Sequence, residues 1–338
     1  MRIFKAILGA LFALFLIGAA VTGSLWVHHQ TFVQTPLSVP GERLVLDVPR
    51  GTGFRTLGQQ LVVDGVLADP YSFLVLAYRS GKANQLKSGE YALTTGMTPL
   101  QLLDDLTSGK TIQYSVTLVE GLNFRQALAA IAAAPVLEGS LTDLSDEELM
   151  ARIGHPGEHP EGQLFPDTYA YPRGTQALDL VKRAYARMQT ILGEEWAQRE
   201  EGLPLTTPYE ALILASIVEK ETGLAAERPE IAGVFVRRLR KGMKLQTDPT
   251  VIYGMGAAFD GNIRRSDLTT DTPYNTYVRT GLPPTPIALP GRDAIHAALH
   301  PAAGDSLYFV AKGDGGHAFS ATLEEHNRAV RRYQLGGQ

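Results

Sequence analysis

The chain has 338 residues, of which 44% are apolar and 20% charged, and its formal net charge is −4. This is the composition of an ordinary globular protein of two or more domains, and no basic run indicates nucleic-acid binding. Cysteine is absent, which excludes disulfides, a thiol nucleophile and cysteine-ligated zinc.

An uncharged apolar stretch near the N-terminus predicts a membrane span. Residues Ala6–Val27 carry no charge and follow Arg2 and Lys5. About 20 apolar residues suffice to cross the hydrocarbon core of a bilayer. The preceding positive charges favour a cytoplasmic N-terminus, residues 1–5, and an extracytoplasmic remainder. A cleaved signal peptide is the alternative, because small residues lie at Ala19–Gly23, but the stretch is long for a signal core.

A linker, His28–Pro40, is expected to lead into a compact unit over residues 41–115. The order strand, helix, helix, strand resembles the layout of LysM modules, which bind glycans containing N-acetylglucosamine. A small α/β unit that only positions the next domain is the alternative. The predicted elements are a strand at Leu44–Val48, a helix ending at Gly65, a helix capped by Asp69, a strand at Lys87–Leu93 and a helix from Thr98 to Gly109.

Residues 116–338 predict a larger mixed α+β domain. The segment Pro135–Pro160 is polar and irregular, a candidate hinge or cover. A glycine-rich turn predicts a hairpin near the C-terminus. The predicted elements are strands at Ile112–Val119, Asp305–Lys312 and His317–Ala321, and helices at Phe124–Ala133, Leu178–Leu192, Thr207–Gly223, Arg228–Arg240, Gly291–His300 and Thr322–Gln334.

The helix predicted at Thr207–Gly223 has the clearest signals, namely a good N-cap, a proline at the first helical position and a glycine stop. Its segment Ala211–Val218 is apolar on nearly every face, which predicts a central helix buried in the core. Two carboxylates, Glu219 and Glu221, follow in the last turn. Burial and charge therefore conflict at this end of the helix.

The two glutamates are predicted to differ in environment. Residues two apart on a helix point about 200° apart, so Glu219 and Glu221 face opposite sides. Glu221 continues the bulkier apolar stripe, where desolvation raises the pKa of a carboxyl group. A glutamate raised from about 4.3 toward neutrality is a competent general acid. We expect Glu221 to be the catalytic acid and Glu219 a buried ion-pair or orienting residue; solvated glutamates paired with nearby arginines are the alternative.

Beyond Gly242 the chain has long loops rich in Tyr, Asn, Thr and Pro, which are unusual unless they are functional. Sugar rings stack on aromatic side chains, and sugar hydroxyls bind amides and carboxylates. The loops therefore predict a sugar-binding cleft, with ordinary loop packing as the alternative. The candidate substrate-binding residues are Gln246, Asp248, Tyr253, Tyr274, Asn275 and Tyr277, together with His317, for which a structural role is the alternative.

No metal or cofactor is expected. His296 and His300 have the helical spacing of two metal ligands, but the glutamate of a zinc-protease helix does not follow His296. His300 also precedes a proline and suits a helix end. No nucleophile elbow or phosphate loop is visible. A metalloenzyme that uses these two histidines is the remaining alternative.

Because Glu219 and Glu221 diverge, they cannot be the two carboxylates of a glycosidase, which lie about 5–10 Å apart. The second carboxylate would have to be Asp248 or Asp167, unless the substrate supplies its own nucleophile. In N-acetylmuramic acid the C6 hydroxyl can attack its own anomeric carbon, with an effective molarity above about 10⁵ M when well oriented. One glutamate then protonates the leaving oxygen and afterwards accepts the hydroxyl proton.

Several motifs follow one another in a recognisable order over nearly the whole chain. They are Ala215–Thr222 (ASIVEKET), Leu245–Gly254, Tyr274–Tyr277, Gly281–Pro284, His300–Pro301 and Leu307–Val310, and Glu161–Tyr169 and the N-terminal anchor agree with them. Together they resemble the endolytic murein transglycosylases of the YceG-like family. The chain departs from the family pattern mostly in Pro135–Pro160.

The resemblance implies a single-pass protein of the bacterial inner membrane, with a LysM-like subdomain and a periplasmic or otherwise extracytoplasmic catalytic domain. Such enzymes cut nascent peptidoglycan strands internally and leave 1,6-anhydro-N-acetylmuramic acid ends. They are thought to terminate elongation beside peptidoglycan synthases. The catalytic glutamate of the family corresponds to Glu221. A lysozyme-like muramidase that uses water and a non-catalytic glycan-binding scaffold are the alternative functions.

Overall fold

The computed structural model describes residues 2–336, and it confirms a mixed helix-and-strand protein with a long apolar helix at its N-terminus. Packing of the Cα trace divides the chain into two compact units. The first contains the residues up to 114 together with Tyr171–Gly174, and the second contains Ser115–Ala170 and the residues from Thr175 onward.

The first unit begins with α1 (Arg2–Gln34), which continues beyond the predicted span. Within the described chain, one helical stretch, Ile7–Gln34, is long and apolar enough to cross a membrane. The expected linker is therefore helical in its first part, because Phe32 and Val33 pack against the core of this unit. The helix ends just before Thr35, the residue that precedes a proline and disfavours helical backbone.

The rest of the first unit has the predicted order strand, helix, helix, strand, helix, and its identification as LysM-like stays a prediction. The two strands are antiparallel, with Arg43 opposite Thr94 and Val48 opposite Gly89. Buried leucines and aromatic residues from the three helices form the core beneath the sheet. The elements are β1 (Arg43–Val48), α2 (Phe54–Val63), α3 (Pro70–Arg79), β2 (Gly89–Thr94) and α4 (Pro99–Ser108).

The second unit contains most of the helices and two pairs of strands, of which only the end residues Tyr114 and Tyr171 belong to the first unit. Strands β3 (Tyr114–Thr117) and β4 (Thr168–Tyr171) pair with each other, as do β5 (Tyr308–Ala311) and β6 (His317–Ser320). The predicted C-terminal hairpin is confirmed. The helices are α5 (Phe124–Ala132), α6 (Asp146–Ile153), α7 (Ala177–Ala197), α8 (Pro208–Glu221), α9 (Arg228–Arg240), α10 (Asp248–Met255), α11 (Arg265–Thr269), α12 (Arg292–Leu299) and α13 (Leu323–Tyr333).

Three of these helices differ from the sequence-based expectation. Helix α6 lies in the segment predicted to be irregular, where Ser145 and Glu148 form a complete capping box. Helices α10 and α11 lie in segments predicted to be loops. All three are short, so their apolar periodicity is weak; α6 and α11 have capping boxes, and α10 has a proline in its first turn.

Helix α8 positions the candidate site. Its residues Ala211–Val218 are buried, and it packs against α7, α9, α10 and α12. The Thr207 side chain accepts a hydrogen bond from the Glu210 backbone N–H at 3.2 Å and so caps the helix. Glu221 is the last helical residue, at the point where the buried segment meets the surface.

Candidate active site

The last turn of α8 sends its two carboxylates in different directions, as the helical spacing predicts. The Glu221 carboxylate accepts a hydrogen bond from the Thr247 hydroxyl. The Glu219 carboxylate accepts instead from the Arg228 guanidinium at 3.3 Å and from the Gly291 backbone N–H at 3.0 Å. The two carboxylates therefore have different hydrogen-bond partners and lie in different environments.

Glu219 belongs to a partly buried ion cluster. Its side chain is 6% exposed, and Arg228 also approaches Glu120 at 3.5 Å and Asp293 at 3.3 Å. Burial raises the pKa of Glu219, while the Gly291 N–H and Arg228 act in the opposite direction. This arrangement ties the end of α8 to the starts of α9 and α12.

We expect Glu219→Gln to lower the free energy of unfolding by about 1–2 kcal/mol, because a buried cation loses its most enclosed partner but keeps two exposed ones. Urea denaturation measures this. The matched control is Asp293→Asn, whose side chain is 73% exposed and whose loss should cost less than about 0.5 kcal/mol. Equal losses in the two variants would contradict the assigned role of Glu219.

Glu221 lies on the wall of a polar cavity of about 540 Å³. Desolvation raises the pKa of its carboxyl to about 7, and the negative charge of Asp248 adds to this effect. The hydrogen bond from Thr247 and the charges of His317 and Arg238 act in the opposite direction. A carboxyl group that is desolvated yet faces a cavity can hold a proton near neutral pH and deliver it to a bound molecule.

Five of the residues singled out in the sequence meet in this cavity. They are Glu221, Gln246, Asp248, Tyr277 and His317. The Tyr277 hydroxyl donates to Asp248 Oδ1 at 2.6 Å, and burial raises the pKa of Tyr277. Asp248 is thereby held at the start of α10, beside Glu221.

Arg238 holds the loop that carries Gln246. Its guanidinium donates to the carbonyl oxygens of Leu307 at 2.6 Å and Leu245 at 2.8 Å, and to Gln246 Oε1 at 3.3 Å. Gln246 itself has a φ of +52°, which is unusual for a residue other than glycine. Arg238 therefore fixes a strained segment of the cavity wall and joins it to the residue that precedes β5.

His317 is oriented by a carboxylate. Its Nδ1 lies 2.7 Å from Glu227 Oε2, and its backbone N–H donates to Glu227 Oε1 at 2.9 Å. The His317 and Glu227 side chains are only 11% and 18% exposed. Glu227 contacts only the Nδ1 atom of the His317 ring, so Nε2 is not bonded to Glu227. The His317 side chain lines the Glu221 cavity.

The remaining sequence candidates lie elsewhere. Tyr253 and Tyr274 line a second cavity of about 760 Å³, and the centroids of their rings lie 4.9 Å apart. The Tyr253 hydroxyl donates a hydrogen bond to Glu161 at 3.0 Å. Glu161 lies in a segment for which the sequence predicted a turn, and it was not predicted to be a site residue. Burial raises the pKa of Glu161 to about 7. Asn275 lines neither cavity; its amide donates to the carbonyls of Asp267 and Thr270 and fixes the loop before Tyr277.

The Glu221 cavity also contains residues that were not predicted from the sequence to belong to the site. The unrecognised residues include Arg238, Tyr308, His326, Asn327 and Gln334. The last three belong to α13 or follow it directly, and their spacing with Leu323 and Val330 puts them on one helical face. That spacing is visible in the sequence, but the cavity that the face borders is not.

One group of side chains has the spacing of metal ligands. Glu195, His296 and His300 bring ligand atoms within 4.8 Å of one another, and His296 Nδ1 lies 2.8 Å from Glu195 Oε2. Arg292 also binds the Glu195 carboxylate at 2.8 Å, and His300 Nε2 lies 2.8 Å from the Gln198 carbonyl oxygen. These contacts already engage the carboxylate and one imidazole, which favours an ion-pair cluster over a metal site.

Comparison with known proteins gives consistent results. The model of the YceG-like family matches residues 46–332. An endolytic murein transglycosylase of Bacillus subtilis (strain 168) is 34% identical over 305 residues, covering 85% of this chain and 84% of that protein. A protein of the same name from Streptococcus pneumoniae is 27% identical over 336 residues, covering 88% of this chain and 60% of the other. The crystal structure of a YceG-like protein from Listeria monocytogenes has a TM-score of 0.56 at 30% identity, covering 86% of this chain and 99% of that one.

Proposed function

This chain belongs to the YceG-like family, and from that premise we propose that it is a membrane-anchored lytic transglycosylase that cuts peptidoglycan glycan strands internally. The observation that carries the proposal is the Glu221 carboxyl, which has a pKa of about 7 and lines a polar cavity. The relatives named endolytic murein transglycosylases support the choice of glycan as the substrate.

In the proposed reaction, Glu221 begins protonated. It gives its proton to the oxygen that leaves the anomeric carbon of N-acetylmuramic acid, and the glycosidic bond breaks. The C6 hydroxyl of the same sugar forms the new bond to the anomeric carbon and passes its proton to Glu221. No water is consumed, the enzyme is restored, and the product is a 1,6-anhydro end.

The neighbours of Glu221 suit this sequence of steps. Thr247 donates to one carboxylate oxygen and leaves the other for the substrate. The negative charge of Asp248 keeps the proton on Glu221 and would also stabilise positive charge that develops at the anomeric carbon. Gln246, Tyr277 and His317 supply polar groups at the cavity wall for hydroxyl and acetamido groups.

The anchor and the partners complete the proposal. We assign α1 as a single span of the bacterial inner membrane that holds the catalytic unit on the extracytoplasmic side, because its apolar side chains are exposed and its span lies near the N-terminus. The first unit would bind or approach glycan as a LysM-like module. An enzyme so placed would act on nascent strands beside peptidoglycan synthases and end their elongation.

A lysozyme-like muramidase is the second candidate, because Asp248 lines the same cavity and would be the second carboxylate. One Asp248 oxygen is already engaged by Tyr277, which favours the intramolecular route. Mass spectrometry of digested glycan strands separates the two. The proposal predicts new N-acetylmuramic acid ends that are lighter by one water than the ends that hydrolysis produces. Ends with the mass of hydrolysed ends would indicate the muramidase instead. Strands that are not cut would indicate a glycan-binding scaffold.

We expect kcat/KM to fall on the alkaline side with an apparent pKa of about 7, because Glu221 must start protonated and loses its proton above that pH. The pH profile of strand cleavage measures this. Glu161 provides the control, because its pKa is also raised to about 7 but it faces the second cavity. Glu161→Gln should keep the alkaline limb, and its disappearance in that variant would contradict the assignment to Glu221.

A further inference from the structure

Helix α3 of the first unit has one exposed apolar face. Tyr71, Val75 and Tyr78 are exposed, and their spacing of four and then three residues puts them on one side of the helix. The opposite side, with Phe73 and Leu76, is buried in the core of the unit. A contiguous exposed apolar face marks an interaction site, whereas single exposed apolar residues are ordinary.

The end of α1 shows where α3 lies along the proposed membrane span. Helices α1 and α3 contact each other over a short stretch. His28 is within electrostatic reach of Asp69, which caps the start of α3, and His29 is within reach of Arg79 at the other end of α3. Helix α3 therefore crosses α1 at the level of these two histidines, directly after the predicted span Ala6–Val27.

The core of the first unit lies on the side of α3 that is farther from the span. Phe32 and Val33 pack against this core, and Leu37 is buried in it. At 1.5 Å per residue, Phe32 and Val33 lie about 6 Å beyond His28 and His29 along the helix axis. Because the buried side of α3 faces that core, its exposed face is turned back toward the bilayer.

The residues of α3 suit the boundary between lipid and water. Tyrosine is enriched at this depth, because its ring is apolar and its hydroxyl reaches polar groups. Arg79 is the only charged residue of α3 and is exposed, so its guanidinium can bind lipid phosphates while its stem contacts apolar surface. About 20 residues cross the hydrocarbon core, which brings His28, His29 and the crossing helix α3 to the level of the headgroups.

We propose that the α3 face, formed by Tyr71, Val75 and Tyr78, lies in the headgroup region of the membrane that α1 spans, on the extracytoplasmic side. The inference rests on the proposed membrane anchor, since it takes α1 as a single span, and it is independent of the reaction at Glu221. The face would hold the first unit against the bilayer surface and limit its rotation about the end of the anchor.

Because the chain contains no cysteine, single labelling sites can be introduced without background. Cysteine replaces Val75, Tyr78, Val45 or Leu16, one at a time, in the full chain, and each carries a nitroxide spin label. The labelled chain is reconstituted at high dilution into vesicles of phosphatidylethanolamine and phosphatidylglycerol. Power saturation in electron paramagnetic resonance then compares collisions of each label with oxygen, which concentrates in lipid, and with a nickel chelate, which stays in water.

Val45 is the matched control for Val75. The two valines are 49% and 46% exposed, and Val45 points away from the core because it alternates with the buried Leu46 on β1. We expect the ratio of oxygen to nickel collisions to be about threefold or more higher at Val75→Cys and Tyr78→Cys than at Val45→Cys, since a helix in the interface buries its apolar face about 5–10 Å deep. Thermal unfolding of each labelled chain checks the fold.

The label at Leu16, in the middle of the span, separates failure of this inference from failure of the anchor. A high ratio there with equal ratios at Val75→Cys and Val45→Cys would overturn the inference and leave the anchor in place. Low accessibility of Val75→Cys to both reagents would assign the face to protein packing and also overturn it, and spin–spin broadening that unlabelled chain removes would identify a second copy. A low ratio at Leu16→Cys would contradict the anchor and the inference together, whereas strand cleavage tests the reaction separately.

Discussion

Glu221→Gln is expected to reduce strand cleavage by about 10³-fold or more while the protein stays folded and still binds glycan. Glutamine has the shape of glutamate and still accepts the hydrogen bond from Thr247, but it has no proton to give to the leaving oxygen. General acid–base catalysis by a positioned side chain is worth about 10²–10⁴-fold, and here one group supplies both the acid and the base. Cleavage rates on purified strands measure the effect.

Glu219→Gln is the matched control for this prediction. It changes a carboxylate in the same turn of α8, with a buried side chain, that faces the ion cluster around Arg228. We expect it to keep cleavage within about tenfold of the unmodified chain. A folded Glu221→Gln protein that cuts at an undiminished rate would remove Glu221 from the reaction, and an equally inactive but folded Glu219→Gln protein would remove the distinction between them.

Arg238→Met should have the second largest effect, on both stability and activity. The guanidinium is buried and donates to the carbonyls of Leu307 and Leu245, which methionine cannot do. We expect the free energy of unfolding to fall by about 2–4 kcal/mol, because buried carbonyls lose charge-assisted hydrogen bonds. Cleavage should fall more than tenfold, since the strained Gln246 segment and the Tyr308 ring would both lose their support.

Arg240→Met tests whether this effect belongs to the site of Arg238. Arg240 is exposed on the same helix and donates to the Gly202 carbonyl at 3.0 Å. Its replacement should change the free energy of unfolding by less than about 1 kcal/mol and leave cleavage near that of the unmodified chain. Urea denaturation and cleavage assays of both variants provide the comparison, and similar losses in both would contradict the role given to Arg238.

Local sequence signals predict the part of the site that depends on one helix. The apolar segment Ala211–Val218, with Glu219 and Glu221 two residues apart, predicts divergent carboxylates and a raised pKa for Glu221. In the structure the two carboxylates contact different partners, and burial raises the pKa of Glu221. The turn between β5 and β6 is likewise encoded by adjacent residues. Such features depend only on helical geometry or on the residues of a turn, so they can be predicted from a single sequence.

The candidate residues are divided between two cavities, and this division could not be predicted while the segment that contains Asp248 and Tyr253 was interpreted as a loop. Asp248 and Tyr253 both belong to α10, and residues five apart on a helix point about 140° apart. Asp248 therefore faces Glu221 while Tyr253 faces Glu161. Recognition of this short helix from its Asp-Pro start would have predicted the separation.

The contribution of α13 could not be predicted, because it depends on a contact between distant segments. The spacing of His326, Asn327 and Val330 defines a helical face, but helical periodicity does not say which surface that face borders. The same is true of Glu227, which orients His317 from ninety residues away in the chain. Long-range packing decides both.

Cleavage of purified glycan strands in heavy-oxygen water, followed by mass spectrometry of the new ends, tests the central claim most directly. If Glu221 drives attack by the C6 hydroxyl of the substrate, no solvent oxygen enters the product and the new ends carry no heavy oxygen. Incorporation of one heavy oxygen at each new N-acetylmuramic acid end would show that water is the nucleophile and would contradict the intramolecular reaction.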